Sequence, residues 1–393
     1  MPDFATSSLE QKLLIACARR DLDASARDTI AHTGIDSIST EYLVAESQRH
    51  GLTPLVALHL GNGFRDAVRT PVLSELRKLF DANAAATLRQ ADELVSILKL
   101  LGANQIAALP YKGPALAMQA YGNIALRQSG DLDILVREKD FAAAASVLIA
   151  NGYKRAGLLT AAREKALMRW GHHDLFNSEN GTAVELHWRT AKSIFSFALD
   201  HDELWERTEI VDLAGDLVPC IGREDLLLML AVHGSSHSWQ RLEWVASYAE
   251  LARQTPQERW TQILSRAEKA NCARIVIVAL LLASELLGLE LSAAVEQKAK
   301  ADPGAHRLAY SLSRRSFEKS EHMLGSVGYQ FAMRKGAAEK SRLALSSLFT
   351  PAHEDWDYIS LPDSLYPLYY VVRPIRLIRT YMLRLPWRTD STT

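Results

Sequence analysis

The amino-acid sequence predicts an α+β protein in which a small sheet lies between two helical regions. Before residue 101 and after Arg223, apolar residues recur at three- and four-residue spacing, which is typical of amphipathic helices. Between these regions, short apolar segments bounded by Gly, Asn and Pro are typical of strands. We therefore predict an N-terminal helical subdomain (1–101), an α/β core (102–192), a C-terminal helical subdomain (193–350) and a basic tail (351–393).

The elements of the core follow from local signals. Pro114 is favoured in the first turn of a helix, Asp140 is a typical N-cap, and Asn151-Gly152 is a typical helix end. The turn-rich residues 177–181 separate two apolar segments and therefore predict a hairpin. In order, we expect a strand at 106–109, a helix at 114–121, a strand at 132–136, a helix at 140–150, and hairpin strands at 172–176 and 182–188.

Composition excludes several classes of protein. The 393 residues carry a formal net charge of −1, which argues against a chain-wide nucleic-acid or membrane-binding surface. Cys17, Cys220 and Cys272 are far apart and odd in number, which suits a reducing compartment and gives no zinc spacing. The N-terminal residues have no secretory-signal pattern, and the longest apolar run, 275–283, is too short to span a bilayer. We therefore expect a cytoplasmic protein.

Two carboxylates in an apolar strand are the main indication of function. In the segment DLDILV, Asp131 and Asp133 are two residues apart and would project from the same face. Burying both would cost several kcal/mol unless a cation or strong donors compensated their charge. Convergent carboxylate oxygens at a strand end suit Mg²⁺, which also binds substrate phosphates. We predict that Asp131 and Asp133 hold a nucleotide-bound Mg²⁺.

A third acid lies on a later predicted strand. Glu185 is flanked by Val184 and Leu186, so it too is a carboxylate in apolar surroundings. Two metal ions bridged by such a cluster can clamp the attacking and leaving oxygens of a phosphoryl displacement. We predict that Glu185 holds the second metal. We also expect that it, or a water that it holds, helps to activate an acceptor hydroxyl.

Phosphate-binding groups precede the acids in the sequence. Lys112-Gly113 stands before the helix that begins near Pro114, so the backbone donors and positive end of that helix can receive a phosphate. Lys112 adds a point charge. Arg127 offers a guanidinium suited to phosphate oxygens four residues before Asp131.

These landmarks resemble a known family. The segments KG, GDLDILV, NGY, HHDLF and VELHW, in this order, are similar to nucleotidyltransferases of the DNA polymerase beta superfamily. More narrowly, they resemble uncharacterised bacterial nucleotidyltransferases in which Lys-Gly replaces Gly-Ser. The resemblance covers about residues 105–190 and extends weakly to RLEW near residue 241. It implies a minimal mixed sheet with metal ligands at Asp131, Asp133 and Glu185, and a phosphate-binding turn at Lys112 and Gly113.

The chain departs from this pattern in two places. Pro114 follows Gly113, where the superfamily has a phosphate-binding Ser, and Ala246-Ser247-Tyr248 stands where the family often has an Asp. The leading interpretation is Mg²⁺-dependent transfer of a nucleotidyl group from a nucleoside triphosphate to a hydroxyl or phosphate of a peptide, glycan or small molecule. One alternative is sugar transfer from a nucleotide sugar to a phosphorylated peptide or glycan. Another is a non-catalytic nucleotide-binding scaffold.

Structural roles are the alternatives for these carboxylates. Asp131 and Asp133 could cap a helix or pair with Arg127 or Arg137, and Glu185 could pair with Arg189. His187 shares the predicted face of Glu185 and is therefore a candidate contact for the nucleotide or the metal.

Other histidines and aromatic residues allow both structural and functional interpretations. His172 and His173 are adjacent on a predicted strand, so we expect at most one of them to face the cleft. His233 and His237 have the i, i+4 spacing of some zinc sites, but we see no third ligand nearby and favour packing or acceptor binding. Core packing is favoured over base stacking for a further group, namely Trp239, Arg241 and Trp244.

The tail combines arginines with aliphatic and aromatic residues. A basic amphipathic helix of this kind can bind an anionic membrane or RNA, or it can dock on the protein with its arginines solvated. We favour docking and keep peripheral membrane contact as the alternative. The arginines concerned are Arg373, Arg376, Arg379, Arg384 and Arg388.

Overall fold

The fold is a mixed α+β structure in which helices predominate. The computed structural model describes residues 8–34, 38–65, 68–157, 159–192, 197, 199, 201–318, 323–334 and 336–382. The helices before the sheet are α1 (Leu9–Cys17), α2 (Ala24–His32), α3 (Thr40–Arg49), α4 (Thr53–Gly63) and α5 (Thr70–Ala103). No helix in these described ranges is long and apolar enough to cross a bilayer.

The central unit alternates strands and helices. Its elements are β1 (Ala108–Pro110), α6 (Gly113–Tyr121), β2 (Asp131–Val136), α7 (Phe141–Ala150), β3 (Lys154–Arg155), α8 (Ala161–Trp170), β4 (His173–Asn177) and β5 (Ala183–His187). The five strands form one sheet in the order β1-β2-β5-β4-β3. β2 and β5 are parallel, and the other neighbouring pairs are antiparallel. The sheet is therefore mixed, as predicted.

The remaining elements are mostly helical. After α9 (His201–Glu206), a hairpin of β6 (Thr208–Leu213) and β7 (Asp216–Ile221) precedes α10 (Arg223–Ser236). The helices that follow are α11 (Leu242–Arg253), α12 (Trp260–Lys269), α13 (Ala273–Leu287), α14 (Ala293–Lys300), α15 (Pro303–Arg315), α16 (Met323–Ala332), α17 (Ala337–Phe349), α18 (His353–Tyr358) and α19 (Tyr369–Leu377).

Most predicted core elements are present, with small differences at their ends. β1 begins two residues later than predicted and includes Pro110, which is tolerated because β1 is an edge strand. Asp140 occupies the N-cap position of α7, but its side chain makes no capping hydrogen bond. A 3₁₀ turn over Glu138–Asp140 leads into that helix instead. The prediction that Asp140 caps the helix with its side chain is therefore wrong.

The β6–β7 hairpin was not predicted from the sequence. Its turn is Ala214-Gly215, and both residues have positive φ angles, of 56° and 98°. Such angles match the two-residue turns that join twisted antiparallel strands. Side chains of β6 alternate between exposed and partly buried positions, which is the period of a strand. The turn lacks the usual Asn or Asp before Gly, and this weakened the hairpin signal.

Two large buried clusters hold most of the fold together, and α5 joins them; a third, smaller cluster contains Ala166, Trp356 and Tyr369. The first contains residues from α1 and α4 together with residues from α10, α11 and α13. The second surrounds the sheet. Val72 and Leu76 of α5 belong to the first cluster, whereas Leu94 and Leu101 belong to the second. With 34 residues, α5 is about 50 Å long and fixes the sheet relative to the helices.

The described part of the tail docks on the preceding helices. Arg373 Nε donates to the Ser347 carbonyl at 2.9 Å, and the Tyr369 hydroxyl accepts from Arg163 Nη2 at 3.2 Å. Arg376 is buried, and its Nε donates to Asp355 Oδ1 at 2.5 Å. Arg373 Nη1 donates to Asp355 Oδ2 at 3.0 Å, and Arg379 donates to the Tyr358 hydroxyl. Docking with solvated arginines was predicted. Arg379 is exposed as expected, but the prediction is wrong for Arg376, which is buried. Asp355 is fully buried and requires the positive charge of these side chains. Two further predicted arginines lie outside the described residues, namely Arg384 and Arg388.

Candidate active site

Strand register places the predicted acids on one face of the sheet. Asp133 of β2 lies directly opposite Glu185 of the parallel strand β5. His187, two residues further along β5, lies opposite His173 of the antiparallel strand β4. Since residues two apart on a strand share a face, Asp131 lies on this face as well. The sheet therefore presents three acids and two imidazoles together.

Asp133, Glu185 and His187 form a tight group. Their ligand atoms lie within 4.8 Å of one another. His187 Nε2 is 3.1 Å from Asp133 Oδ1 and 3.1 Å from Glu185 Oε2, and the Tyr111 hydroxyl lies 3.1 Å from the imidazole nitrogens. Asp131 lines the same cleft but is outside this group. His187 thus contacts two of the three acids, a role that the sequence indicated only through the shared face of the strand.

Charge compensation at the group comes mainly from Lys112. Its ammonium donates to Asp133 Oδ1, and both side chains are largely buried. Burial alone would raise the pKa of Asp133, but the Lys112 charge and the His187 hydrogen bond lower it well below its usual range. Burial and the neighbouring Asp133 charge raise the pKa of Asp131. The pKa of Glu185 is lowered overall. Burial acts to raise it, but the hydrogen bond with His187 acts in the opposite direction, and the lowering effects prevail.

Gly113 is required by the backbone of the turn after Lys112. Its φ angle is +58°, in the left-handed region that favours glycine. A Cβ there would lie 3.3 Å from the Asp131 carbonyl oxygen and 3.4 Å from Ser129 Oγ. Pro114 follows in the first turn of α6, where its missing N–H does no harm. The turn therefore brings the start of α6 close to the strand that carries the acids.

The loop that carries Arg127 is held by α5. Asn83 Nδ2 donates to the Ala125 carbonyl at 2.9 Å, and Gln90 Nε2 donates to the Ser129 carbonyl at 3.2 Å. Arg127 is buried yet lines the cleft, and its Nε has no hydrogen-bond partner among the residues described. A buried guanidinium in a cleft is suited to an anionic ligand, because an unpaired charge is costly there.

The structural alternatives for the carboxylates are not found among the described residues. Arg137 Nη1 donates to Asp202 at 2.7 Å. Arg189 Nη2 donates to Glu138 at 2.8 Å, and Glu185 instead contacts His187. Asp131 and Asp133 lie within β2 and do not cap a helix. Arg127 forms no ion pair with either carboxylate in the described part of the chain. Burial raises the pKa of Asp131, and the Arg127 charge only partly opposes this effect.

The acid face forms one wall of a cleft of about 620 Å³, and α10 and α11 form the other. His233, His237 and Trp244 line the helical wall, with ring centroids 4.9 to 5.5 Å apart. Within the described residues, these histidines belong to no group of three metal-ligating side chains. Trp239 is buried and packs edge-on against Tyr248, so its predicted core role is confirmed. For Arg241 and Trp244 the sequence favoured core packing, but both residues line the cleft.

Both His172 and His173 line the cleft, so the prediction that at most one does so is wrong. The strand β4 begins at His173, and alternation therefore does not apply to His172. His173 Nδ1 and His172 Nε2 are 3.1 Å apart, and the two imidazoles pack edge to face. Burial lowers the pKa of His172 well below its usual range and that of His173 to about 4.

Sequence reasoning also missed Tyr111 and Glu243, which line the cleft. Burial and the Asp133 charge raise the pKa of Tyr111 well above its usual value, so its hydroxyl remains a donor. Burial raises the pKa of Glu243, whose position near Arg127 and Arg241 arises from the packing of α11. Tyr111 stands next to the Lys-Gly landmark, which is the only sequence signal that we find for it.

Comparisons with known proteins identify the family of the chain. No curated protein matches the chain by sequence. An antigenic nucleotidyltransferase-like protein from Paracoccidioides brasiliensis has a similar solved structure, with 13% identity and a TM-score of 0.27, covering 55% of this chain and 95% of that protein. The family described as uncharacterised nucleotidyltransferases matches residues 36–288, which is well over half of the chain. The chain therefore belongs to this family of uncharacterised nucleotidyltransferases.

Proposed function

We propose that this protein transfers a nucleotidyl group from a nucleoside triphosphate to a hydroxyl or phosphate of an acceptor, with Mg²⁺ as cofactor. The observation that carries the proposal is the pairing of Asp133 with Glu185 across parallel strands, beside Lys112 and Arg127. Carboxylates and phosphate-binding cations in one cleft suit a metal–nucleotide complex.

The donor atoms fit the proposed metal. Asp133 Oδ2 is buried and makes no hydrogen bond within the described structure, so one carboxylate oxygen remains for a cation. Asp131, Asp133 and Glu185 supply the hard oxygen ligands that Mg²⁺ prefers. When bound there, Mg²⁺ would neutralise charge on the triphosphate and on the developing pyrophosphate.

The residues of the chain then have distinct roles. When the nucleotide binds, the Lys112 ammonium would leave Asp133 and bind a phosphate oxygen. Arg127 and the N-terminal turn of α6 would bind the other phosphate oxygens. The acceptor oxygen attacks the α-phosphorus, and the bond to the β-phosphate oxygen breaks to release pyrophosphate. For a hydroxyl acceptor, Glu185 or a water that it holds takes the proton. The Tyr111 hydroxyl and His187 keep Asp133 and Glu185 oriented through hydrogen bonds.

A ligand panel tests the proposal. Thermal unfolding is measured with ATP, CTP, GTP, UTP and nucleotide sugars, each with and without Mg²⁺. Wild type is compared with the Asp131→Ala, Asp133→Asn double variant and with Asp357→Asn, an exposed acid of α18, as control. We expect a Mg²⁺-dependent increase in stability with a triphosphate, about 2.7 kcal/mol at a hundredfold excess over Kd, that only the double variant loses.

Activity then distinguishes the chemistry. With an α-labelled triphosphate and an acceptor mixture, we expect label transfer with release of one pyrophosphate per transfer. A stability increase confined to nucleotide sugars, with sugar transfer, would replace the proposal by the glycosyl alternative. Indifference to every nucleotide and to Mg²⁺ would overturn it. A nucleotide-dependent increase in stability without any transfer would replace it by the non-catalytic nucleotide-binding scaffold.

A further inference from the structure

We propose that His172, His173 and His187, together with Glu185, form a transition-metal site in the wall of the cleft. This site adjoins the oxygen-rich Mg²⁺ position and shares Glu185 with it, but its three imidazoles are not among the proposed Mg²⁺ ligands. It would bind one divalent ion of the zinc or cobalt type. The proposal concerns metal binding and would stand even if the chain transferred no nucleotide.

The three imidazoles converge on one point. One ring nitrogen from each of His172, His173 and His187 lies within 4.8 Å of the other two. His172 Nε2 and His173 Nδ1 are 3.1 Å apart, and His187 Nε2 is 3.1 Å from Glu185 Oε2. His173 Nδ1 is 3.7 Å from the same Glu185 oxygen. Three imidazole nitrogens thus form a compact set, and a Glu185 carboxylate oxygen lies beside His173 and His187.

These separations match the dimensions of a tetrahedral site. Bonds of about 2.0–2.1 Å to zinc place neighbouring ligand atoms about 3.3 Å apart. Two of the separations above are 3.1 Å and one is 3.7 Å. The widest pair of nitrogens, at no more than 4.8 Å, would close by about 1.5 Å through side-chain rotation.

The backbone holds the ligands in place without the metal. His173 and His187 are paired residues of the antiparallel strands β4 and β5. The His172 carbonyl accepts hydrogen bonds from the amides of Trp188, at 3.0 Å, and Arg189, at 3.3 Å. Trp188 is itself buried against Phe141. Ligands fixed by strand pairing lose little conformational entropy on binding, which favours affinity.

Donor chemistry selects a transition metal over Mg²⁺ at this position. Imidazole nitrogen suits zinc, copper, iron and nickel, whereas Mg²⁺ prefers carboxylate, phosphate and water oxygens. Asp133 also contacts His187 but pairs with Lys112, so it belongs to the oxygen-rich position. The two positions therefore share one edge of the cleft, at Glu185 and His187, and differ in the metal that they favour.

Metal titration of the tag-free, chelator-treated full chain tests this inference. Co²⁺ is added without nucleotide, and the visible absorption of tetrahedral Co²⁺ and the bound-metal content are measured. We expect one tetrahedral ion per chain, which Zn²⁺ displaces and Mg²⁺ does not. The His172→Asn, His173→Asn double variant should weaken binding by at least about a hundredfold, since it removes two ligands.

The control is the His233→Asn, His237→Asn double variant, which alters the histidine pair of the facing wall. Retention of the Co²⁺ spectrum in this control is expected, and its loss there would overturn the assignment. Asp131→Asn should also keep the spectrum while losing the Mg²⁺-dependent effect of nucleotides, so the two proposals fail separately. Equal Co²⁺ binding by wild type and the His172/His173 variant would refute the site.

Chemical protection on wild type covers the case in which that variant does not fold. Diethyl pyrocarbonate modifies accessible imidazoles, and modified positions are identified by mass spectrometry. We expect Zn²⁺ to protect His172 and His173 but not His237. Unchanged modification of His172 and His173 in the presence of Zn²⁺ would refute the site without any substitution.

Discussion

Replacing Lys112 by Met tests the charge balance of the cleft most directly. The Lys112 side chain is 11% exposed and pairs with Asp133, whose side chain is fully buried. Met keeps the length and most of the apolar stem but removes the charge. Removing one member of a buried ion pair destabilises a protein by about 3–5 kcal/mol, because the other charge stays buried without its partner. For 393 residues unfolding together, the entropy is about 0.8 kcal/mol per degree, so Tm should fall by about 4–6 °C.

The same substitution should make Mg²⁺ more stabilising. In wild type the Lys112 ammonium already compensates Asp133, so an added cation has to displace it. In Lys112→Met, the uncompensated carboxylate should bind Mg²⁺ more tightly. At a hundredfold excess of Mg²⁺ over Kd, binding contributes about 2.7 kcal/mol, or about 3 °C of recovered Tm. Thermal unfolding of both proteins over a Mg²⁺ series at pH 7 measures this difference.

Lys99→Met is the matched control. Lys99 is 68% exposed and pairs with Asp216 at 2.7 Å on the surface. Exposed ion pairs contribute at most about 1 kcal/mol, so we expect a Tm change of about 1 °C or less and no new response to Mg²⁺. If Lys112→Met were as stable as wild type, or if Mg²⁺ raised both Tm values equally, the proposed competition between ammonium and metal would be wrong.

Three further predictions concern stability. Gly113→Ala should lower the free energy of urea unfolding by about 1–3 kcal/mol, because Gly113 has a positive φ and a Cβ there would lie 3.3 Å from the Asp131 carbonyl oxygen. The control Gly102→Ala, at a helical position with open space, should raise it by about 0.5–1 kcal/mol. Asp355→Asn removes the buried negative charge that pairs with Arg376, so hydrogen exchange should accelerate in the C-terminal helices; unchanged protection would contradict this. Burial lowers the pKa of His50 from 6.5 to about 4. The folded state therefore favours the neutral imidazole, and its stability is highest above pH 6.5 and decreases as the pH falls towards 4. Between pH 7 and 4.5 that loss is about 2–3 kcal/mol, and His50→Gln should not show it in urea unfolding.

The acid strand was predictable because its signals are local. A period of two placed Asp131 and Asp133 on one face, and the apolar flanks of Glu185 marked a second strand with the same character. The Lys112-Gly113 turn followed from the preference for Pro in a first helical turn. Each of these inferences needed fewer than ten neighbouring residues.

Contacts between distant segments were not predictable from a single sequence. The role of His187 depends on the parallel pairing of β2 with β5, which brings Asp133 next to Glu185 across the sheet. The participation of His172 depends on β4 beginning one residue later. Burial of Arg376 depends on Asp355, 21 residues away in another helix. Register, strand ends and buried ion pairs are set by tertiary packing and have no local signature.

Two buried groups connect the geometry of the cleft to its ligand. Asp133 Oδ2 and Arg127 Nε are both buried and without a hydrogen-bond partner in the described part of the chain. Each buried polar group left without a hydrogen bond costs about 1–3 kcal/mol, and more when it is charged. The Asp133 oxygen would be stabilised by a cation and the Arg127 nitrogen by an anion, and both groups belong to one site. A metal–nucleotide complex carries both charges, so a single ligand would satisfy both groups; neither a free anion nor a metal ion alone would do so.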